Sequence, residues 1–582
     1  MFAEFNNYKI KVRPVSYTTS QGNRFDATVC ISFFDDNNKE KAYYERAYCE
    51  AEDIYNRIEK GEAINLDECY IENFSLTVYR KSRELDDKAV VTLNDFSARS
   101  AFFDSRIATD FSFSIIRGDQ VSFRGSRFIN GRTNFHRATF SEGGKDFTEI
   151  IFRNGEVDFS NVVFNGGEVD FRDTRFFEGV KNFQYADFGD GNISFINTQF
   201  GRGEANFINT HFGQGKTIFK GAVFESGKVD FQFAQFGEGD ISFERTEFGN
   251  GKVDFRKVEF SSGKVNFNRA AFGDGEVTFE ASQLDNSRMT FKKTAFGEGN
   301  LFFEEAEYKD SEVLFDHARF GSGSIYFGKA WIGKLSMVSC HLDHYVDFRL
   351  RFCESLDLSD TIARDIIDFS SYESEVEIGC LNLAGMRLIG QIYIDWQENN
   401  VKAIINKQEH TSHSEKAEQF RILKENYGQI GNYKSEDLAY IQFKRHEQKA
   451  DLVKSLDKSG WNAIWQLPLY GFKFLVIDRM GLYATSPARV ILSLLIIYIS
   501  FSLIHFVCPF FMDTAINCIA EENGLMNKFL NTLYYSLITF TTVGYGDCTP
   551  HGFLRSIAAL EGFVGPFMMS YFTVAFARKI LR

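Results

Sequence analysis

The chain lacks the features by which several common classes of protein are recognised. Its nine cysteines include no Cys-x-x-Cys pair and no histidine at a partner spacing, which argues against a zinc site. Basic residues are in the minority, and the formal net charge of −14 argues against a nucleic-acid partner and for a soluble, acidic exterior. No nucleophile motif with a paired histidine is present, so we predict neither an enzyme nor an organic cofactor.

The N-terminus lacks a secretion signal. Residues 1–7 carry no basic n-region, and no apolar h-region follows them. We therefore expect everything that precedes the first long apolar segment to stay in the cytoplasm.

Proline is scarce and phenylalanine is abundant, with six Pro against 65 Phe, which calls for a search for repeats. Phe recurs every 12 residues without a break from Phe111 to Phe327. A second apolar residue follows each of these five positions later, from Ile116 to Ile332. The gap after it usually carries Gly-x-Gly, as in Gly237-Glu238-Gly239.

A large apolar residue, a small or branched one two positions before it and polar positions facing outward resemble the pentapeptide-repeat family. That resemblance implies a right-handed quadrilateral β-helix. The 5-then-7 spacing of the apolar residues departs from the family pattern, and a two-residue expansion at alternate corners predicts 24 residues per coil. A 12-residue coil is the alternative, but it would crowd four apolar side chains into a very thin tube.

We therefore predict a cytoplasmic β-solenoid over residues 96–398, with shorter coils from Ile332 to about Trp396. The solenoid is either a rigid stalk or a platform for an unknown cytoplasmic ligand or protein. Residues 1–95 are predicted to be a small mixed α/β domain, with strands at 8–12 and 28–34 and a helix at 41–60. No phosphate loop or catalytic set lies there, so this domain is a ligand sensor, a cap for the solenoid, or both.

Two further segments precede the membrane region. Residues 399–458 are predicted to be a helical connector, with a loop at 399–414 and helices at 415–427 and 434–451. It either transmits motion or is a plain spacer. Residues 459–487 are rich in aromatic residues but interrupted by proline and glycine, so we interpret them as an interfacial pre-pore segment. A buried core helix is the alternative.

Residues 488–582 contain two apolar segments, 488–512 and 553–576, each long enough to cross a membrane. Between them, residues 529–541 predict a helix too short to cross, as a re-entrant pore helix would be. It is followed by the stretch Thr541-Thr542-Val543-Gly544-Tyr545-Gly546-Asp547. These seven residues resemble the selectivity filter of the two-transmembrane tetrameric K⁺ channel family, and the α-helical module around them has the matching arrangement.

The resemblance implies a homotetramer that conducts K⁺ passively, with the cation as its only cofactor-like ligand. It assigns the K⁺-binding carbonyl oxygens to Thr542, Val543, Gly544 and Tyr545. It places Asp547 at the outer mouth, bracing the filter against the pore helix, where Tyr535 replaces a Trp that the family often has. It also makes Gly565 a hinge for gating, with Gly562 as the competing position.

Three further expectations concern the membrane region. Glu561 is an ionisable residue in an apolar span, which makes it a functional candidate. Cys518 and Cys548 fall on the outer side, as a disulfide or as free thiols. Basic residues flank both spans on one side, which predicts a multi-pass protein of the cell membrane, surrounded by lipid, with both termini cytoplasmic. The alternative function is a membrane-anchored scaffold or adaptor whose acidic solenoid recruits a partner.

Overall fold

The computed structural model describes residues 7–35, 37–371, 376–458, 467–520 and 524–581. The chain forms two compact units, Met1–Gln408 and Glu409–Arg582. The first unit ends ten residues beyond the predicted end of the solenoid because a short helix, α3 (Val401–Asn406), packs on the last coil and buries three apolar side chains. That helix lies inside a segment predicted to be a loop.

The first unit is a β-solenoid of about 14 turns with about 24 residues per turn. Each short strand pairs in parallel with the strand one turn later, as in the pairing of Val229 with Val253 and of Asp230 with Asp254. The prediction of a 24-residue coil is therefore confirmed, and the 12-residue alternative is excluded.

The strands form four faces, which the chain visits in turn. The first face contains Val157–Asp158, Lys181–Asn182, Ala205–Asn206, Val229–Asp230, Val253–Asp254, Val277–Thr278, Leu301–Phe302, Ile325–Tyr326, Val346–Asp347, Ile366–Asp368 and Gln391–Tyr393. The second contains Ser114–Ile116, Thr139–Phe140, Val163–Phe164, Gln235–Phe236, Glu259–Phe260 and Gln283–Leu284. The third contains Gln120–Ser122, Gly144–Asp146, Val169–Asp170, Ile193–Ser194, Thr217–Ile218, Ile241–Ser242, Val265–Asn266 and Arg288–Thr290. The fourth contains Ile151–Phe152, Arg175–Phe176, Val223–Phe224, Glu247–Phe248, Ala271–Phe272, His341–Leu342, Ile362–Ala363 and Arg387–Leu388.

Longer strands run across a corner and join two faces near the ends of the solenoid. They are Val91–Ser97, Phe102–Asp110, Arg127–Asn134, Glu307–Leu314, Trp331–Ser336, Phe352–Asp357 and Ile378–Asn382. Beyond Phe327 the turns shorten to 21 residues, as the stacked rings of Phe327, Phe348 and Phe369 show, with centroids 5.4 and 5.3 Å apart. The predicted short coils are thus present.

Stacked phenyl rings fill the interior. Phe207 lies between Phe183 and Phe231, with ring centroids 4.9 and 4.7 Å away and planes within 5° of parallel. It meets Phe219 edge-on, at 5.8 Å and 88°. Because the 12-residue period puts successive Phe residues on opposite sides of a 24-residue coil, two such columns run side by side, each stacked within itself and edge-to-face with the other, both of which are favoured ring geometries.

The Gly-x-Gly corners are explained by the close approach of successive turns. A Cβ added at Gly239 would overlap the carbonyl oxygen of Gly215 in the preceding turn, and one at Gly263 would overlap that of Gly239. Only glycine fits where backbone passes this close to backbone. The repeat therefore needs glycine at these corners for stacking.

The N-terminal residues join the end of the solenoid. Strands Asn7–Arg13, Thr28–Phe34 and Glu40–Glu50 form an antiparallel sheet, and the last pairs in parallel with Cys69–Glu72, which pairs with the first long solenoid strand. The two predicted strands are present. The predicted helix at 41–60 is wrong in its first half, because Glu40–Glu50 pairs as a strand; only α1 (Ala51–Lys60) is helical. The remaining elements are strands Tyr17–Thr18, Arg24–Phe25 and Ala63–Asn65 and helix α2 (Leu76–Ser82).

The second unit is helical. A capping box at Ser412 and Glu415 begins the first connector helix, which contains the predicted helix 415–427, as the second contains 434–451. Of the pre-pore segment, residues 459–466 lie outside the described residues. The helices are α4 (His413–Gln429), α5 (Tyr433–Lys458), α6 (467–472) continued by a π-helix (Lys473–Arg479), α7 (Pro487–Val507) continued by a 3₁₀ turn (Cys508–Phe510), α8 (Asn517–Ala520), α9 (Leu525–Phe540) and α10 (Leu554–Ile580).

Two lysines occupy buried strand positions that are apolar in most other turns. Lys181, flanked in its face by Val157 and Ala205, donates through Nζ to the carbonyl oxygen of Arg202 at 2.6 Å. Lys145 donates to the carbonyl oxygens of Asn165, at 2.8 Å, and Gly166. Burial lowers the pKa of each ammonium to about 8.

This burial predicts a pH-dependent stability. An unfolded lysine has a pKa of about 10.4, so between about pH 8 and pH 10.4 the unfolded chain holds a proton that the folded chain has lost. The cost of burying the charge is fully present below pH 8 and disappears as the pH rises. Urea unfolding of wild type should therefore gain stability relative to Lys181→Met between pH 8 and pH 10.

The matched control is Lys216→Met, which replaces an exposed lysine in a neighbouring turn. Its free energy of unfolding should differ from wild type by a constant amount across the same pH range. Parallel pH curves for wild type and Lys181→Met would contradict a charge-burial cost at Lys181.

Candidate ion-conduction site

Two helices are long and apolar enough to cross a membrane. They are Pro487–Phe510, which includes the 3₁₀ turn, and α10, Leu554–Ile580. Helix α9 between them has 16 residues, or about 24 Å, and does not reach across a hydrocarbon core of about 30 Å. It begins four residues before the predicted start of the pore helix and ends at Phe540.

The chain turns directly at the end of α9. The amide of Thr541 donates to the carbonyl oxygen of Leu537, and the amide of Val543 donates to that of Ile538, both at 2.9 Å. The filter-like stretch therefore starts from the C-terminal carbonyls of α9, the end of a helix that carries partial negative charge and favours a nearby cation.

The backbone of this stretch alternates in hand. Thr542, Gly544 and Gly546 have left-handed φ values of 58°, 54° and 79°, whereas Val543 and Tyr545 do not. An extended chain points successive carbonyls in opposite directions, and alternating left- and right-handed residues allows them to face one side. A Cβ added at Gly544 or Gly546 would meet nothing within 4 Å. The need for glycine comes from φ and not from crowding inside this chain.

The side chains of the stretch are open to solvent in the single chain. Val543 is 52 % exposed and Tyr545 is 72 % exposed. At the outer end, the Asp547 carboxylate accepts a hydrogen bond from the Tyr534 hydroxyl of α9 at 3.0 Å. Tyr535, where sequence reasoning looked for the bracing residue, is instead buried edge-on against His505, at 5.1 Å and 87°.

Glu561 is buried where three helices meet. Its Oε2 lies 2.9 Å from His505 Nε2 on α7, and its Oε1 accepts a hydrogen bond from the Ser536 hydroxyl on α9. All three residues are at most 1 % exposed. Sequence reasoning identified Glu561 and missed its partners, although a histidine in the first apolar span was itself a visible signal.

The two glycines considered as hinges differ in their surroundings. A Cβ at Gly565 would overlap the backbone carbonyl oxygen of Phe540, the last residue of α9. At Gly562 the nearest atom would be the carbonyl oxygen of Thr539, at 4.0 Å. Gly565 is thus required for close packing of α10 on the end of α9, while α10 runs as one helix through Pro566.

The far end of α10 is held by the connector, a set of contacts that sequence reasoning did not find. Asp437 of α5 lies 2.8 Å from the Lys579 ammonium and 3.4 Å from the Arg578 guanidinium, which also sits 4.2 Å from the ring centroid of Tyr440. A second ion pair, Arg445 with Asp478 at 2.8 Å, ties α5 to the π-helix.

The loop between the π-helix and α7 is also tied to α10. Three consecutive residues, Leu482, Tyr483 and Ala484, have left-handed φ values of 48°, 56° and 62°, which are costly for residues other than glycine. The Tyr571 hydroxyl accepts from the amide of Ala484 at 3.2 Å, and Arg578 donates to the carbonyl oxygen of Tyr483 at 3.2 Å. These contacts hold the loop in its strained conformation.

A disulfide joins the loop after α7 to the segment after the filter stretch. Cys518 and Cys548 are bonded, with their Cα atoms 5.2 Å apart. A bridge between Ile516 and Pro550 lies beside it. Of the two alternatives that the sequence left open, the structure contains the disulfide.

Comparison with known proteins identifies one part of the chain. The profile of a family described as "Ion channel" matches residues 492–582, which take in most of α7, the whole of α9, the filter-like stretch and α10. Nothing matches the chain among curated proteins or among solved structures. The protein is thus a membrane protein with a β-solenoid in its N-terminal unit, and its C-terminal residues are a domain of an ion channel family, not of an enzyme family.

Proposed function

We propose that the protein is a homotetrameric, K⁺-selective channel whose filter is formed by Thr541–Asp547 from four chains. The observation that carries this proposal is the alternation of left-handed φ at Thr542, Gly544 and Gly546 directly after the C-terminus of α9. Rings of backbone carbonyls that replace the hydration shell of K⁺ are the known solution to K⁺ selectivity. Thr542, Val543, Gly544 and Tyr545 supply these carbonyls.

Exposure of the filter supports assembly. A valine and a tyrosine that are more than half exposed, on a strained backbone, need cover that a single chain does not give. One chain supplies only one loop, and four loops around an axis make a ring. The exposed glycine positions then face the ion path.

The disulfide and the basic helix ends support one orientation. The Cys518–Cys548 disulfide lies at the filter end of the spans and suits an oxidising compartment. Arg489 lies at the opposite end of α7, as Arg578 and Lys579 lie at the opposite end of α10. We infer that both termini and the solenoid are cytoplasmic, in agreement with the positive-inside rule.

The contacts of Asp437 support regulation from the N-terminal side. Helix α5 precedes both spans in the chain and its carboxylate holds the last basic residues of α10. A change in the position of α5 would therefore pull directly on the cytoplasmic end of the inner helix. We infer that the solenoid and the N-terminal residues act on the pore through this clamp, which consists of Asp437, Tyr440, Arg578 and Lys579.

The first test is ion flux through purified protein in liposomes. Wild type should conduct K⁺ and exclude Na⁺. Gly544→Ala should lose at least about tenfold of the K⁺ flux, because alanine at φ 54° costs about 1–2 kcal/mol and turns the carbonyl away. Gly471→Ala is the matched control, since its Cβ meets no atom and its φ is not left-handed. A wild type that passes no K⁺ would reject the channel and leave the scaffold.

A second pair of variants separates packing from hinge motion in α10. Gly565→Ala should lower stability by about 1–3 kcal/mol, because the new methyl group overlaps the carbonyl oxygen of Phe540. Gly562→Ala should unfold at the wild-type temperature or slightly above it, since alanine favours a helix and has room there. Thermal unfolding of the detergent-solubilised protein measures both. Equal losses for the two variants would show that the packing at Gly565 is not decisive.

A third test addresses the clamp. Asp437→Asn weakens two ion pairs, and losing about 1 kcal/mol shifts a two-state equilibrium about fivefold, so K⁺ flux should change by about that factor while the K⁺/Na⁺ ratio stays constant. Lys579→Gln should change flux in the same direction, and the double variant should change it by less than the product. Asp451→Asn, exposed on the same helix, is the control. Fully multiplicative effects of Asp437→Asn and Lys579→Gln would contradict the clamp.

A further inference from the structure

A cavity of about 220 Å³ lies behind α9, away from the filter stretch. It is enclosed by the outer end of α7, the loop that follows it and the first turns of α9. Most of its wall is apolar, with Phe506, Ile516 and Ile519 among the lining residues. Its volume corresponds to about seven water molecules, or to a small organic molecule of similar size, since a water occupies about 30 Å³ of liquid.

Two polar atoms of the cavity wall are unsatisfied. His505 Nδ1 and Thr514 Oγ1 are buried and have no hydrogen-bond partner among the described residues. Both residues line the cavity, and the His505 side chain is fully buried. Buried polar groups in folded proteins are nearly always paired, so these two atoms indicate a partner that is not part of the chain.

The pairing of His505 with Glu561 determines what that partner must offer. A buried pair in a membrane is stable when its net charge is zero. Either Glu561 is protonated and donates to His505 Nε2, so that the ring proton sits on Nδ1, or Glu561 is ionised and the imidazolium carries protons on both nitrogens. In both neutral forms Nδ1 bears a hydrogen. The missing partner therefore needs an acceptor oxygen.

We propose that this cavity binds a small neutral organic molecule, mainly apolar and of about seven to ten non-hydrogen atoms, whose hydroxyl or carbonyl oxygen accepts a hydrogen bond from His505 Nδ1. Thr514 provides a second polar contact to the same oxygen. The volume favours a free small molecule over a lipid acyl chain, which is too long for it. The site lies beyond the proposed conduction path and is independent of what the filter conducts.

Occupancy of the cavity is coupled to the pore helix. The imidazole that receives the ligand also holds Glu561, and Glu561 accepts the hydroxyl of Ser536 on α9. Thr532 of α9 lines the cavity directly. A bound molecule therefore changes the contacts of the helix from which the filter stretch begins.

Photolabelling of the full-length protein in liposomes tests the site. The probe is a diazirine derivative of 1-octanol, and the adducts are located by mass spectrometry. Labelling should concentrate on residues 505–519 and 528–532 and should be competed by unmodified 1-octanol. The matching diazirine of octane, which lacks the oxygen, should label these residues at least tenfold less. Equal labelling by the two probes, or labelling that octanol does not compete, would overturn the proposal.

Variants locate the binding determinants without disturbing the buried carboxylate. Ala515→Leu fills the cavity and should abolish the competed labelling, and Thr514→Val should weaken it about threefold to tenfold. Ser500→Ala, which removes an exposed hydroxyl bonded only to its own helix, should leave it unchanged. Competed labelling that survives Ala515→Leu would place the probe elsewhere and overturn the site. K⁺ flux is measured in the same liposomes, so its absence would reject the channel and leave the labelling result intact.

Discussion

A buried carboxylate fixes the arrangement of the pore domain. Glu561 is inaccessible to solvent in the middle of an apolar helix, where an unpaired charge would be very costly. It is tolerated because one neighbouring helix offers an imidazole and another a hydroxyl. Both partners must stay in place, so the first span, the short helix and the second span cannot shift independently. The contact of Gly565 with the end of α9 adds a steric constraint in the same helix.

The filter-like stretch inherits its geometry from this arrangement. It starts from the last carbonyls of α9 and is anchored at its other end by Tyr534 and Asp547, and then by the disulfide at Cys548. Between these anchors, the alternating φ values are held by the ends and by little else in the single chain. A strained backbone persists only where its surroundings determine it, and here the surroundings are a helix terminus and two side-chain contacts.

The solenoid meets a different constraint with one repeated solution. Each 24-residue turn places the same residue types over those of the previous turn, so the phenyl columns, the glycine corners and the parallel strands all extend together. A turn without its neighbours would expose its strand edges and rings, which is why such arrays are stable as a stack and need covered ends. The N-terminal antiparallel sheet and helix α3 lie at these ends.

The amino-acid sequence by itself determined the features that follow from local rules. The Phe period and the Gly-x-Gly corners predicted a 24-residue turn, and apolar length predicted two spans around a short helix, because side-chain volume, backbone freedom and membrane thickness act on nearby residues. Tertiary structure alone decided which distant residues meet. His505 and Ser536 around Glu561, Tyr534 in place of Tyr535 at Asp547, and Asp437 at the end of α10 join residues 13 to 142 positions apart. No periodicity encodes such pairings, since they depend on how the helices pack. For the same reason Glu40–Glu50 became a strand: an edge that needed a partner outweighed its helix-like composition.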